Sequence, residues 1–116
     1  MEIRRVETNK KQYLALLLLA DEQEDMIDRY LERGTMYVLE DGEVKAECVV
    51  AAEGDGVLEL KNIAVEPGFQ GKGYGKALVD FLIRTYSGRY AVLQVGTGDS
   101  PSTFSLWLTR WGNTPS

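Results

Sequence analysis

The chain has 116 residues, of which 44% are hydrophobic and 27% are charged. This balance is typical of a folded globular domain and is too apolar for intrinsic disorder. The length is sufficient for one hydrophobic core and excludes a second independent domain, so we interpret residues 1–116 as a single domain. Within it, residues 98–116 form a tail of atypical composition, which holds both tryptophans and two of the three prolines.

Charge and cysteine content exclude several classes of function. The net charge is −5 and no long basic stretch is present, so we expect no nucleic-acid partner. With one cysteine, Cys48, and no histidine, the chain lacks an internal disulfide, the usual zinc site and a Ser-His-Asp triad. We therefore expect no metal cofactor and a core position for Cys48. Because the N-terminal MEIRRVETNKK has no apolar signal region and the longest apolar run, Tyr13 to Ala20, is about half as long as a membrane span, we also expect a cytoplasmic protein without a membrane partner.

The first elements in chain order are a short strand and two helices. Residues 2–6 alternate weakly between apolar and polar, as a strand does, and Thr8 or Asn9 then caps a helix that runs to Ala20. Apolar residues at helical spacing predict a second helix from Asp21 to Arg33.

The next three segments predict an antiparallel meander. Two β-rich segments, Thr35–Leu39 and Glu43–Ala51, flank an Asp-Gly turn, which is a strong hairpin signal. A second turn over residues 53–56 leads into a third strand of the meander, Val57–Val65.

This third strand of the meander contains a change of parity. Leu58 and Leu60 share one face of a regular strand, whereas Ile63 and Val65 fall on the other. Either both faces of the strand are covered, or a β-bulge near Lys61-Asn62 shifts the register.

A glycine-rich segment, Gln70-Gly71-Lys72-Gly73-Tyr74-Gly75, precedes a helix whose apolar residues recur up to Tyr86. Because glycine lets backbone N–H groups approach an anion at a helix N-terminus, the segment predicts phosphate binding. The alternative is a tight turn that packs the helix closely on the sheet. Neither the Walker pattern nor the dinucleotide pattern matches. Tyr90–Val95 completes a β-α-β crossover with a parallel strand, so we predict an α/β fold with a mixed sheet.

The glycine-rich segment resembles the Q/R-x-x-G-x-G/A signature of the GNAT superfamily of acyl-CoA-dependent N-acetyltransferases. The preceding LKNIAVEPGFQ resembles that family's fourth strand and its link to the pyrophosphate loop. The order of elements over residues 1 to about 100 is also similar to the family's. The resemblance implies a GNAT-like fold and a transferase that uses acetyl-CoA (coenzyme A) as cosubstrate to acetylate a primary amine of a small molecule or a protein.

The resemblance also implies binding roles for individual residues. Backbone N–H groups from Gly71 to Lys76 would hold the pyrophosphate of coenzyme A. Ile63 to Val65 would hydrogen-bond the pantetheine arm, at a place where the family's fourth and fifth strands separate. The implied cofactor-binding residues are Ile63, Ala64, Val65, Gln70, Gly71, Lys72, Gly73, Tyr74, Gly75 and Lys76.

Acetyl transfer to an amine requires a base for the amine proton, donors for the oxyanion and an acid for the leaving thiolate. Glu59 is the best candidate for the catalytic base. Its position eleven residues before Gln70 resembles the spacing of the fourth-strand glutamate of histone-acetylating members. Alternation along the strand places Glu59 on the face opposite Leu58 and Leu60. The alternative role is that of an exposed strand carboxylate.

The C-terminal segment departs from the family pattern. Members usually carry a helix with a tyrosine acid after the fifth strand and then two more strands, whereas none of the six tyrosines lies after Tyr90. Residues 105–111 are compatible with a short strand or a helical turn. The chain is either a naturally minimal member or one whose C-terminal third was replaced by an unrelated tail, for example through a frameshift, and the abrupt change in composition favours replacement. An unpaired sheet edge would then promote self-association, so we expect a homo-oligomer.

Three functions compete at this point. The leading hypothesis is a GNAT-type N-acetyltransferase. The second is a non-catalytic acyl-CoA-binding or partner-binding module on the same scaffold. The third is a structural α/β domain in which the glycines serve only packing.

Overall fold

The computed structural model describes residues 1–95 and the short strand of residues 108–110. The described strands form one sheet in the order β1-β2-β3-β4-β5-β6. Neighbouring strands are antiparallel except β4 and β5, which are parallel, so the prediction of a mixed α/β fold is confirmed. The elements in chain order are β1 (Glu2–Val6), a 3₁₀ turn (Lys10–Tyr13), α1 (Leu14–Ala20), α2 (Glu24–Leu31), β2 (Thr35–Asp41), β3 (Glu43–Ala52), β4 (Val57–Val65), α3 (Tyr74–Tyr86), β5 (Val92–Val95) and β6 (Leu108–Arg110).

The predicted bulge lies in β4 and is confirmed by its pairing with β3. Val49 lies opposite Asn62 and Val50 lies opposite Leu60, so Lys61 is an extra residue without a partner on β3. An inserted residue restores a common face to side chains of opposite parity. The apolar residues before and after the bulge accordingly pack in one core: Leu58, Leu60, Ile63 and Val65.

The sheet separates two apolar cores. Helix α3 covers one face through fully buried residues such as Leu78 and Leu82. Helices α1 and α2 cover the other face, where Leu17 and Ile27 are fully buried. Cys48 lies in the α3 core as a buried free thiol, which confirms its predicted position.

The first helix differs from its prediction. Asn9 does not cap it with its side chain, because its backbone is left-handed (φ 52°) and turns the chain into the 3₁₀ turn that precedes α1. The Asn9 carbonyl oxygen instead accepts a hydrogen bond from the Gln12 backbone N–H at 3.1 Å. The second helix is shorter than the predicted Asp21–Arg33, since the extended backbone of Gln23 (φ −115°, ψ 119°) delays its start.

The outer edge of β5 is paired. Residues 108–110 form an antiparallel ladder with Val92, Leu93 and Gln94, so this edge is covered over three residues rather than left open. The rest of the predicted tail, residues 98–107 and 111–116, lies outside the described residues. Self-association therefore stays a prediction. Within the described part of the chain, no helix has the length and apolar character needed to cross a membrane.

Candidate functional site

The predicted site lies where β4 ends and α3 begins. The loop between them is attached to β3, because the Glu66 backbone N–H donates to the Lys45 carbonyl oxygen at 2.7 Å. The Lys45 ammonium also lies 3.7 Å from the centroid of the Phe69 ring, a cation–π contact. These contacts hold the loop in a defined position beside the sheet.

Two glycines of this loop have left-handed backbones that favour glycine. The φ angles are 81° at Gly71 and 88° at Gly73. A Cβ atom at either position would meet no other heavy atom within 4 Å, so neither glycine is required for close packing. Only at Gly75 would a Cβ approach the sheet, at an ordinary 3.7 Å from Val65 Cγ2. The loop therefore leaves open space in front of Gly71 and Gly73.

This open space adjoins the N-terminus of α3, a helix of 13 residues. The capping residue, Gly73, has no side chain, and the N–H groups of a first helical turn have no intrahelical acceptor. The helix dipole adds partial positive charge at this end. Lys72 and Lys76 add ammonium groups, although Lys76 is paired with Asp80 at 2.8 Å. The arrangement can accept an anion such as a phosphate.

The side chains of two predicted binding residues are engaged with the protein itself. Gln70 Nε2 donates to the carbonyl oxygen of Val65 at 3.3 Å. The Tyr74 hydroxyl donates to Asp41 Oδ2, in the β2–β3 hairpin, at 2.8 Å. Their side chains therefore anchor the loop and the first turn of α3, which leaves the backbone as the part available to a ligand.

The predicted pantetheine segment, Ile63 to Val65, forms the last part of β4. On one side it is paired with Cys48, Glu47 and Ala46 of β3. On the other side, the described ladder with β5 runs from Val57 to Leu60. The expected separation of β4 and β5 involves residues after Val95, which lie outside the described residues.

Glu59 lies on the predicted face of β4, away from Leu58 and Leu60. Its Oε1 accepts a hydrogen bond from Gln94 Nε2 at 2.6 Å. Its Oε2 lies 2.6 Å from Lys61 Nζ, and only 13% of the Glu59 side chain is exposed. The carboxylate is therefore mostly buried and paired, and differs from an exposed strand carboxylate.

Lys61 and Gln94 were not among the predicted site residues. Lys61 Nζ contacts Glu59 and also Glu53 Oε1, the latter at 3.4 Å. Strand alternation was the signal for Lys61, because residues two apart in a strand share a face and Lys61 follows Glu59 by two. No pattern in the sequence indicated Gln94, because its position beside Glu59 depends on the register of the parallel ladder between β4 and β5.

Comparison with known proteins agrees with this fold. The model of the acetyltransferase (GNAT) domain matches residues 32–104. An uncharacterized N-acetyltransferase of Bacillus subtilis, YvbK, is 40% identical over 96 residues, which are 81% of this chain and 61% of that protein. The chain thus spans less than two thirds of this relative's length.

Two solved structures are similar as well. The IAA acetyltransferase from Bacillus cereus is 38% identical with a TM-score of 0.75, and a GNAT family acetyltransferase from Elizabethkingia anophelis with acetyl-CoA bound is 32% identical with a TM-score of 0.77. Each match covers 86% of this chain and 67% of the other. The matching domain model covers more than half of the chain, and it includes β4, the glycine-rich loop and α3. The chain therefore belongs to the GNAT family of acetyltransferases.

Proposed function

We propose that this chain binds acetyl-CoA at the glycine-rich loop and transfers the acetyl group to a primary amine. The observation that carries the proposal is the open space in front of Gly71 and Gly73, next to the uncapped N-terminus of α3. A relative from Elizabethkingia anophelis with acetyl-CoA bound supports this choice of ligand. In the proposed complex, backbone N–H groups from Gly71 to Lys76 hold the pyrophosphate.

The pantetheine arm is proposed to extend from the loop along Ile63 to Val65. These residues use β3 for pairing on one side, as an inner strand does. An extended arm with amide groups is able to hydrogen-bond to the opposite side of a strand as a further strand would. This placement directs the thioester along β4, towards the end of the strand that carries Glu59.

Glu59 is proposed to remove the proton from the attacking amine. The carboxylate is oriented by Gln94 on β5 and by Lys61 at the bulge, both at 2.6 Å. Two fixed partners reduce the rotational freedom of a side chain, which favours a defined geometry for proton transfer.

A second candidate function is a non-catalytic acyl-CoA-binding module. The observation in its favour is that both oxygens of the Glu59 carboxylate already have partners, Gln94 Nε2 and Lys61 Nζ. The two functions share the binding step and differ only in turnover.

Thermal unfolding with and without acetyl-CoA tests the binding step. A ligand that binds only the folded state, at about 100 times its dissociation constant, adds about 2.7 kcal/mol to the free energy of unfolding. We therefore expect a clear increase in Tm with acetyl-CoA. A cooperative transition without an increase would contradict acetyl-CoA binding, and a non-cooperative transition would contradict a stably folded domain.

A matched pair of glycine variants locates the binding site. Gly73→Ala is expected to weaken acetyl-CoA binding about tenfold or more, because the new methyl group occupies the space in front of the loop and a lost charge-assisted hydrogen bond costs about 1.5 to 3 kcal/mol. The control is Gly42→Ala in the β2–β3 turn, where φ is 82° and a Cβ also meets nothing within 4 Å.

Both alanine variants introduce the same left-handed strain, which costs about 1 to 2 kcal/mol of stability. Only Gly73→Ala is expected to lose affinity in a titration with acetyl-CoA. Equal affinities of the two variants would show that the glycine-rich loop is not the binding site.

A further inference from the structure

A buried polar cluster lies under α1 and α2, on the sheet face opposite α3. Its carboxyl group belongs to Glu47 of β3, which is 0% exposed and has no hydrogen-bond partner at either oxygen. Asn62 of β4 is 3% exposed, and its Oδ1 is also without a partner. Three buried acceptor oxygens without a donor require an explanation, because an unsatisfied buried polar group is costly.

The strand register places these two residues next to each other. Glu47 pairs with Ala64, and Asn62 lies two residues before Ala64 on the same face of β4. Diagonal neighbours of this kind are within reach of long side chains. Since both groups present acceptor oxygens, a hydrogen bond between them requires one additional proton.

The amide nitrogen of Asn62 continues the cluster towards the helices. Asn62 Nδ2 donates to the Leu17 carbonyl oxygen and to the Tyr30 hydroxyl, both at 3.0 Å. The Tyr30 hydroxyl in turn donates to Asp21 Oδ2 at 3.3 Å. Because Nδ2 makes both of these contacts, Oδ1 is the polar atom of the Asn62 side chain that is left without a partner.

We propose that Glu47 is a neutral carboxylic acid whose O–H donates to Asn62 Oδ1, so that one proton completes a buried hydrogen-bonded chain from β3 through β4 to the α1–α2 connection. These hydrogen bonds connect the end of α1 and Asp21 to β4. This proton belongs to the folded protein and is independent of acetyl transfer.

The charged and titratable surroundings favour the neutral form. On β3, Lys45 is two residues from Glu47, but its ammonium lies over the Phe69 ring and 3.5 Å from Glu43. Helix α2 contributes Tyr30, and the α1–α2 connection contributes Asp21. Both are groups without positive charge. On β2 and β4 the directly paired residues are Val38 and Ala64, which have no charge either. On the other face of β3 the adjacent titratable group is Cys48, fully buried as a free thiol.

The directions of the pKa shifts of Glu47 and Tyr30 agree with a neutral Glu47. Burial raises the pKa of Glu47 well above its ordinary value of 4.5. Burial is also the main reason that the pKa of Tyr30 is raised to about 12, so its hydroxyl keeps its proton in the cluster. A carboxyl group with a higher pKa in the folded state binds its proton more tightly there than in the unfolded state. Its contribution to stability is therefore complete below about pH 4.5 and is lost as the pH rises towards the folded pKa.

The test compares the full chain with Glu47→Gln, whose amide donates permanently to Asn62 Oδ1. We expect the folding equilibrium constant of the unmodified chain, relative to Glu47→Gln, to fall about tenfold per pH unit above pH 4.5 until Glu47 ionises in the folded state. The control is Glu43→Gln on the same strand, where the carboxylate is 80% exposed and the pH profile is expected to follow the unmodified chain. Equal pH profiles of all three proteins would overturn the proposal.

A second measurement does not require Glu47→Gln to fold. At about pH 7 exposed carboxyl groups are ionised, so an infrared C=O band of a protonated carboxylic acid reports on a buried one. We expect this band in the unmodified chain and in Glu43→Gln. Its absence from both would show that Glu47 is ionised, for example with a bridging water, and would overturn the proposal.

Discussion

Leu78→Ala is expected to lower the free energy of unfolding by about 2 to 5 kcal/mol. Leu78 is 0% exposed, and it packs in the core between α3 and the sheet. Removal of its side chain loses buried apolar surface and leaves a cavity, because the surrounding strands relax only partly. Since domains of this kind are stable by about 5 to 15 kcal/mol, the loss is a large part of the total. Urea unfolding followed by circular dichroism measures it.

The matched control makes the same change at an exposed position. Leu19 of α1 is 49% exposed, and Leu19→Ala is expected to change stability by about 0.5 kcal/mol or less. A similar loss in both variants would contradict the assignment of Leu78 to the core. Because α3 begins four residues before Leu78, loosening of this contact is also expected to weaken acetyl-CoA binding at its first turn.

Glu59→Gln is expected to lower the rate of amine-dependent release of coenzyme A by about 10² to 10⁴. The amide has the shape of the carboxyl group but does not accept a proton from an ammonium ion. The rate is measured as thiol appearance with acetyl-CoA and a panel of primary amines. The protein's own thiol does not contribute to the native signal, because Cys48 is fully buried. Acetyl-CoA affinity is expected to stay unchanged.

The control for this variant is Glu53→Gln. Glu53 and Glu59 both pair with Lys61, so each substitution removes one carboxylate partner of Lys61 and leaves the other, and Glu53 also pairs with Arg33 at 2.9 Å. Equal rates for the two variants would refute Glu59 as the base. An unmodified chain that binds acetyl-CoA but releases no coenzyme A with any amine would favour the non-catalytic module instead.

Much of the fold was predictable because its signals are local. The hairpin between β2 and β3 follows from an Asp-Gly turn between β-rich segments, and α3 follows from apolar residues at helical spacing after the glycines. The bulge at Lys61 was also detectable, since alternation in β4 changes parity there. The start of the first helix was not, because the left-handed backbone of Asn9 replaces the expected side-chain cap.

The candidate site was likewise predictable only where its residues are close together in the sequence. The loop from Gln70 to Lys76 is a continuous segment, so its residue pattern identified it without knowledge of the fold. The partners of Glu59 come from the bulge and from β5, and the latter is 35 residues further along the chain. Pairings across such distances depend on strand register, which residue spacing alone does not specify.

Residue patterns were sufficient to predict the order of the elements, the mixed sheet and the family, because these depend on periodicity, turn residues and a compact motif. The surroundings of two carboxyl groups, Glu59 and Glu47, became apparent only in the folded chain. Glu59 is paired with Lys61 at the bulge, whereas Glu47 is enclosed beside Asn62 without a cation. Burial and the charge of cross-strand neighbours control whether a carboxyl group is charged or neutral, and both arise only when distant strands are brought into register.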